Sequence, residues 1–266
     1  MKILEALAPN FLVKKAFHKL SNPEVHKLRP HEEGVIRSAR RATKKFKQFD
    51  IATYTWGHGP KKALLVHGWE GQAANFAAIV PLLVDRGFTV ESFDAPSHGF
   101  STKAPTNIFD YKDLVLEFLK VNNYPFIMSH SFGSVPLTYA LWEQENYPLH
   151  QLVMVTSPDT LKARVEQIAA QLKLSDKMVT RILNKFQEET GKDPNVLAVS
   201  EFVKSLKPNE AKIFHGSSDR VLPLEWSERI QQNLANCELE VLDGLGHYKI
   251  LYDEKLLTRI DGMLNY

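Results

Sequence analysis

Residues 124–136, YPFIMSHSFGSVP, contain a short apolar run that passes through small residues into a helical pattern. The pattern predicts a strand, a sharp turn at Ser131 and a helix. Small residues two positions before and after such a turn, here Ser129 and Gly133, let strand and helix come close together. The turn lifts the serine hydroxyl away from the sheet and leaves the N–H of Phe132 at a helix N-terminus. Ser131 is therefore a candidate nucleophile, and the Phe132 N–H is a candidate donor to a developing oxyanion.

This turn motif is not specific on its own. Its usual form is Gly-x-Ser-x-Gly, and Ser129 replaces the first glycine by another small residue. Sequences of the form small-x-Ser-x-small occur by chance in many chains, and a helix-capping serine is the alternative interpretation of Ser131. The assignment therefore depends on whether the rest of the chain supplies a base and an acid that holds the base.

Length, charge and cysteine content indicate one enzyme-sized domain. The 266 residues include 33 Lys and Arg against 31 Asp and Glu, a balance that does not indicate a nucleic-acid partner. The single cysteine, Cys237, cannot form an internal disulfide, which suits a reducing compartment. Residues 1–13 are interrupted by Glu5 and Pro9 and lack a signal-peptide cleavage site. Since no other stretch is apolar enough for stable membrane insertion, we expect a cytoplasmic protein.

Residues 1–46 are predicted to form a helical accessory segment ahead of a main domain over residues 47–266. A basic run extends from Arg37 to Lys47, and we interpret it as the solvated face of a helix. Contact with anionic lipid or nucleic acid is the alternative. That alternative predicts salt-dependent binding that disappears when residues 1–46 are removed.

From Phe46 onward, short β-rich runs alternate with helical patterns, which predicts a largely parallel sheet with helices on both faces. This alternation stops between Thr160 and Leu206, where apolar residues recur at helical spacing and two or three inserted helices are expected. A helix at about residues 107–122 is predicted to begin at the cap Thr106. The predicted strands are the run before Ser131 and residues 46–55, 63–66, 88–93, 151–155, 211–214 and 238–242.

Four separated motifs each follow a predicted strand: HGW at 67–69, DAPSHGFS at 94–101, SHSFG at 129–133, and the pair HGSSD at 215–219 with GLGH at 244–247. With these motifs the chain resembles the α/β-hydrolase fold family from about residue 46 onward. The order Ser131, Asp219, His247 also matches the Ser, Asp, His order of that fold. The resemblance implies an eight-stranded, mostly parallel sheet with a small helical cap at about residues 160–206. Ser97 stands where the second motif of the family usually has its first glycine.

The resemblance also implies the roles of the site residues. His247 is the expected base, and Asp219 is the expected acid that orients it. Asp159 is the alternative acid, since a minority of the family has its acid after the preceding strand. The backbone N–H groups of Trp69 and Phe132 are the expected oxyanion hole. No cofactor is expected.

The remaining polar residues of these motifs are expected to serve structure. We expect His130 to point away from the site, and Asp94 to brace its loop. His67, His98 and His215 are expected to make structural hydrogen bonds. No metal site is expected, because the histidines are scattered and neither a His-Glu-x-x-His pattern nor paired cysteines occur.

Together these observations predict a serine hydrolase that cleaves a carboxylic ester of small to medium size through an acyl-enzyme. A thioesterase, amidase, carbon–carbon hydrolase or perhydrolase with the same triad is the alternative within the fold. A non-catalytic binding member of the fold is the alternative from another class. A small-molecule ester is the expected partner, nucleic acid is not expected, and a homodimer is left open.

The predicted cap is expected to set substrate size. Its apolar stripe, Leu161, Val165, Ile168 and Leu172, must be buried either at the mouth of the site or on a neighbouring helix. We expect the stripe to face the mouth, and packing of the helices only on each other is the alternative.

Overall fold

The computed structural model describes residues 8–264, apart from the side chains of residues 19 and 20. The first seven residues of the N-terminal pattern discussed above therefore lie outside the described residues. Among those that are described, no helix combines the length and the apolar character needed to cross a bilayer.

A single eight-stranded sheet organises the chain. The strands lie in the order β1-β2-β4-β3-β5-β6-β7-β8, and all neighbours from β4 to β8 pair in parallel. Only β1 and β2 at one edge pair antiparallel with their neighbours. The predicted eight-stranded, mostly parallel sheet is thus confirmed. The strands are β1 Arg40–Phe46, β2 Phe49–Trp56, β3 Lys61–Val66, β4 Phe88–Phe93, β5 Phe126–His130, β6 Gln151–Val155, β7 Glu210–Gly216 and β8 Cys237–Leu242.

Helices cover both faces of the sheet, and the central strands are apolar on both faces for that reason. Alternate residues of β3 show this, because Leu64 packs in the core on one face while Ala63 and Leu65 pack in the core on the other. The helices are α1 Pro9–Ser21, α2 Pro30–Ser38, α3 Ile79–Asp85, α4 Ile108–Val121, α5 Ser134–Glu143, α6 Leu161–Gln171, α7 Asp176–Thr190, α8 Val199–Phe202, α9 Leu224–Asn233 and α10 Glu254–Met263. The core on one face includes residues of α4, α5 and α9, and the other includes residues of α2, α3 and α10.

Most of the basic run is a strand, and of its cations only Arg37 lies in a helix, α2, so the prediction of a helix for the run was wrong. Residues 40–46 form the edge strand β1, which pairs with β2 across a two-residue turn that begins at Lys47, where φ is +48°. The cations meet acidic residues of α4: Lys44 lies 2.8 Å from Glu117, and Lys47 lies 2.8 Å from Asp110. Lysines on an edge strand also oppose pairing with another sheet. The predicted boundary between the N-terminal segment and the main domain, after residue 46, therefore falls inside the hairpin of β1 and β2.

The helix α4 begins one residue later than predicted. Its cap is Asn107, whose side chain accepts hydrogen bonds from the N–H groups of Phe109 and Asp110, and not Thr106.

The helices α6, α7 and α8 lie between β6 and β7, in the interval where the alternation of strands and helices stops. The N-terminal helix α1 packs against them, since Val13 shares a buried cluster with Val165 and Ala169 of α6 and with Met178 and Ile182 of α7. The N-terminal segment is thus joined to the inserted helices by apolar packing.

Candidate active site

Strand β5 runs into a sharp turn at Ser131. Ser131 has a left-handed backbone with φ of +52°, and a single 3₁₀ turn over residues 131–133 leads into α5. A Cβ at Gly133 would lie 2.4 Å from the carbonyl oxygen of His67, so only glycine fits there. Ser129 fits at the usual glycine position because it is buried and its Oγ lies 2.9 Å from Oγ of Ser134. The local packing therefore forces the strained turn at Ser131.

The structure brings together the three residues predicted from sequence order. Oγ of Ser131 lies 2.9 Å from Nε2 of His247, and Nδ1 of His247 lies 2.7 Å from Oδ2 of Asp219. All three follow the carboxyl ends of parallel strands, β5, β7 and β8, which open at the same edge of the sheet. Ser131 remains partly exposed, whereas the side chains of His247 and Asp219 are buried. The arrangement places a base against the hydroxyl and an acid behind the base.

Asp219 is held as a carboxylate. Its Oδ1 accepts hydrogen bonds from the N–H groups of Val221 at 2.7 Å and Leu222 at 3.0 Å, while Oδ2 faces His247. Burial alone would raise the pKa of Asp219, but His247 and these two N–H groups outweigh it, and the pKa is lowered.

Asp159, the alternative acid, is placed elsewhere. It is buried, forms an ion pair of 2.9 Å with Arg229 and accepts a hydrogen bond of 3.0 Å from the N–H of Ser200. Its carboxylate thus joins the start of the inserted helices to α8 and α9, while the position beside His247 is taken by Asp219.

His130 does not point away from the site, contrary to the sequence-based expectation. Its Nε2 donates to the carbonyl oxygen of His247 at 2.9 Å, and the two rings lie 5.1 Å apart. The tight turn after β5 places successive side chains close to the loop that follows β8. Burial, together with the neighbouring His247, lowers the pKa of His130 to about 3. His130 is therefore a neutral support for the loop that carries His247.

The other histidines of the motifs make structural hydrogen bonds, as expected. Nε2 of His67 accepts from the N–H of Ala95 at 3.0 Å, which leaves the proton on Nδ1 for donation to the Gly68 carbonyl at 2.7 Å. Burial lowers the pKa of His67 and of His98. Nδ1 of His98 lies 2.9 Å from the carbonyl oxygen of Pro96. At His215, burial again lowers the pKa, and Nδ1 lies 2.8 Å from Oγ of Ser227.

Asp94 braces the loops at this edge of the sheet, also as expected. Its carboxylate accepts hydrogen bonds from the Tyr54 hydroxyl and the N–H groups of Ala73 and Phe100, at 2.8 to 2.9 Å. The departure at Ser97 is accommodated with strain, because this residue has φ of +68°, a conformation that glycine adopts more readily.

The loop after β3 lies directly against the turn at Ser131. A Cβ at Gly68 would lie 3.1 Å from Cβ of Ser131 and 3.6 Å from the backbone nitrogen of Phe132. The next residue, Trp69, packs its ring edge-on against Phe132, with the centroids 5.3 Å apart. The two residues assigned to the oxyanion hole are thus neighbours in space. The hydrogen bond from Gly71 N–H to the Gly68 carbonyl, 3.0 Å, closes the loop.

A cavity of about 150 Å³ opens beside Ser131. Its walls are the loop 68–75, His130 and Ser131, residues 248–252 and, on the remaining side, residues 26–32 of the N-terminal segment. Sequence reasoning missed this last wall, because a short polar stretch before a helix carries no motif that would assign it to a site.

The expectation that the cap stripe faces the mouth of the site was wrong for this cavity. None of the described residues that line it belongs to the cap. Val165 is buried against α1 and α7, and Leu172 is 52% exposed. Leu161 and Val165 of the stripe pack among the helices, which was the alternative. Within residues 8–264, no group of three His, Cys, Asp or Glu side chains is placed to hold a metal ion.

A family model described as the alpha/beta hydrolase family matches residues 63–256. The uncharacterized hydrolase YugF of Bacillus subtilis (strain 168) is 23% identical over 232 residues, covering 71% of this chain and 84% of that protein. A putative lipase from Acinetobacter baumannii AYE has a similar fold, with a TM-score of 0.68 at 14% identity over 90% of this chain and 97% of that one. A membrane phospholipase A has a TM-score of 0.67 at 15% identity over 99% of this chain and 97% of that one. The chain belongs to the alpha/beta hydrolase family.

Proposed function

We propose that this protein is a serine hydrolase that cleaves a carboxylic ester of small to medium size through an acyl-enzyme intermediate. The observation that carries the proposal is the hydrogen-bonded chain from Ser131 through His247 to Asp219, with Ser131 held at a strained turn. The names of the lipase and the phospholipase A give the proposal a fold-level analogy only.

In the proposed mechanism, the Ser131 hydroxyl transfers its proton to Nε2 of His247 while Oγ attacks the ester carbonyl. The N–H groups of Trp69 and Phe132 stabilise the oxyanion that forms. Asp219 accepts the hydrogen bond from Nδ1 and stabilises the imidazolium. His247 then gives its proton to the leaving alcohol, and a water molecule activated by the same imidazole releases the acid from Ser131 and restores the enzyme.

Labelling and turnover test the nucleophile. A fluorophosphonate probe should label the wild type and fail to label Ser131→Ala, and turnover in Ser131→Ala and His247→Ala should fall by roughly 10⁴-fold or more. Ser205→Ala is a matched control, because Ser205 is exposed and lies between α8 and β7, outside the turn at Ser131. Unchanged turnover in Ser131→Ala would exclude the mechanism.

A substrate panel tests the reaction class. It contains esters of graded acyl length, each with its thioester and amide counterpart. The proposal expects esters to have the highest kcat/KM. If a thioester or an amide has the higher kcat/KM, the proposed mechanism stands, but the substrate class is that compound and not a carboxylic ester.

A further inference from the structure

The cavity beside Ser131 has one wall that the family match does not include. His26, Lys27, Arg29 and Glu32 line it, and all of them precede residue 63, where the match to the family model begins. This wall therefore lies outside the part of the chain that the family model matches. What it presents to a substrate decides which groups fit beside the reacting carbonyl.

A buried carboxylate fixes the wall in place. Glu32 is only 2% exposed, and its two oxygens accept hydrogen bonds from the Arg29 N–H at 2.8 Å, Nδ2 of Asn75 at 2.9 Å and the Tyr252 hydroxyl at 2.9 Å. Asn75 belongs to the loop that carries Trp69, and Tyr252 follows His247 in the chain. One side chain therefore joins the wall to both of the loops that flank Ser131.

A second contact supports the same attachment. Nε2 of Gln72 donates to the carbonyl oxygen of His26 at 3.1 Å, and the N–H of Gln72 donates to Oδ1 of Asn75 at 2.9 Å. The stretch from residue 26 to residue 32 is thus held at both ends. A wall that is held in this way can position a substrate group.

The wall presents two exposed cations, Lys27 and Arg29. Among the described residues, neither Lys27 nor Arg29 forms an ion pair, and both are exposed where they line the cavity. The lining also contains two carboxylates, Glu32 and Glu70, whose surroundings differ. Glu32 is buried and accepts three hydrogen bonds. Glu70 interacts electrostatically with the guanidinium of Arg164 on α6 and forms no ion pair among the described residues.

The size of the cavity restricts the substrate. At about 150 Å³ it is smaller than the roughly 300 to 1,000 Å³ of common ligand pockets. A cavity of this size favours a short substrate group over a long acyl chain.

We propose that Lys27 and Arg29 form an anion subsite, which binds a carboxylate or phosphate group carried by a short ester substrate. The proposal rests on the hydrolase function proposed above and narrows its substrate class. The negative charge lies a few bonds from the scissile carbonyl, and the two cations bind it while Ser131 attacks. Because each contact is a charge-assisted hydrogen bond near solvent, the preference for the charged ester falls with ionic strength.

Matched esters test the subsite. Monoethyl succinate and ethyl butyrate have acyl chains of the same length, with and without a terminal carboxylate. O-acetylglycolate and ethyl acetate make the same comparison on the alcohol side. The charged ester should have the higher kcat/KM in at least one pair. In Lys27→Gln/Arg29→Gln the ratio of kcat/KM for the charged ester to that for its neutral partner should fall by roughly tenfold for each cation.

Charge-preserving and distant variants serve as controls. Lys27→Arg/Arg29→Lys should retain the preference. Lys61→Gln/Lys207→Gln removes two exposed cations at the amino ends of β3 and β7, the far edge of the sheet, and should leave the preference unchanged.

Protection of Ser131 gives a readout that needs no turnover. Succinate or inorganic phosphate should slow labelling by the fluorophosphonate probe in the wild type and not in the Lys27→Gln/Arg29→Gln variant. The anion that acts at the lower concentration identifies a carboxylate or a phosphate as the preferred group.

The outcomes separate this inference from the proposed function. If Ser131 is labelled and neutral esters are cleaved, but charged esters have no advantage or keep it in the double variant, the anion subsite is excluded and the hydrolase function stands. If Ser131 is not labelled and no ester is cleaved, both proposals fall.

Discussion

The buried imidazole of His130 should make the protein less stable in mild acid, and replacing it by glutamine should remove this loss. Glutamine places an amide near Nε2, so it can keep the hydrogen bond to the carbonyl oxygen of His247, and it cannot take up a proton. The substitution therefore separates the charge of His130 from its structural contact.

The magnitude follows from the pKa in the two states. The pKa of His130 is about 3 in the folded protein because the ring is buried, and about 6.5 in the unfolded chain. Since the folded-state pKa is depressed, the unfolded chain binds the proton first as pH falls through 6.5, and folding stability is lost. Between pH 7.5 and pH 5.0 the unfolded chain gains most of one proton, which costs about 2 kcal/mol of the free energy of unfolding. The loss continues until the pH reaches about 3, where the folded protein also takes up the proton.

Urea unfolding at pH 7.5, 6.5 and 5.0 measures this effect. The difference in the free energy of unfolding between His130→Gln and wild type should shift by about 2 kcal/mol in favour of the variant between the highest and the lowest pH. The exposed residue His58 offers the control, and His58→Gln should keep the same difference from wild type at every pH. Parallel pH curves for His130→Gln and wild type would refute the assignment of a buried neutral imidazole.

Two further pairs of substitutions separate catalytic from structural roles. Asp219→Asn should lower kcat roughly 10⁴-fold by favouring the wrong tautomer of His247. Asp159→Asn should instead lower the free energy of unfolding by roughly 1–3 kcal/mol and leave kcat nearly unchanged. Kinetics and urea unfolding of both variants check this, and the opposite pattern would transfer the role of acid to Asp159. Glu32→Gln should lower kcat on a small neutral ester severalfold while Ser131 is still labelled, because the loop that carries Trp69 loses a hydrogen bond that positions it. The control Glu33→Gln, on the exposed side of α2, should have no effect. Equal kinetics in the two variants would show that Glu32 serves stability alone.

The central sheet and the arrangement of Ser131, His247 and Asp219 could be predicted because local sequence carries their signals. Short apolar runs identify β3 and β5, and small residues around Ser131 indicate a tight turn directly after a strand. In a parallel sheet, loops that follow neighbouring strands meet at the same edge, so the positions of Asp219 and His247 follow from chain order. These features require no knowledge of side-chain packing.

The features that were missed depend on contacts between distant parts of the chain. The strand β1 carries mostly charged residues, and only its pairing with β2 and its ion pairs with α4 distinguish it from a solvated helix. The position of His130 is decided by the loop after β8, and the wall at residues 26–32 is decided by the hydrogen bonds of Glu32. The apolar stripe of α6 is buried only in part, since Val165 packs with α1 and α7 while Leu172 is exposed. The sequence could not indicate the partner α1, which precedes α6 by more than 100 residues.

The low pKa of His130 follows mainly from its burial, and its place beside the proposed base connects acid sensitivity with catalysis. In the proposed mechanism His247 becomes an imidazolium while Ser131 attacks, and the Asp219 carboxylate stabilises that charge. A second positive charge on His130, with its ring 5.1 Å away, would oppose the imidazolium by about 3 kcal/mol at an effective dielectric constant of about 20. That cost corresponds to roughly a hundredfold loss of rate. Because burial keeps His130 neutral above pH 3, its N–H can hold the His247 loop without adding this charge. The loss of folding stability in acid is thus a consequence of supporting the His247 loop with the neutral N–H of a buried His130.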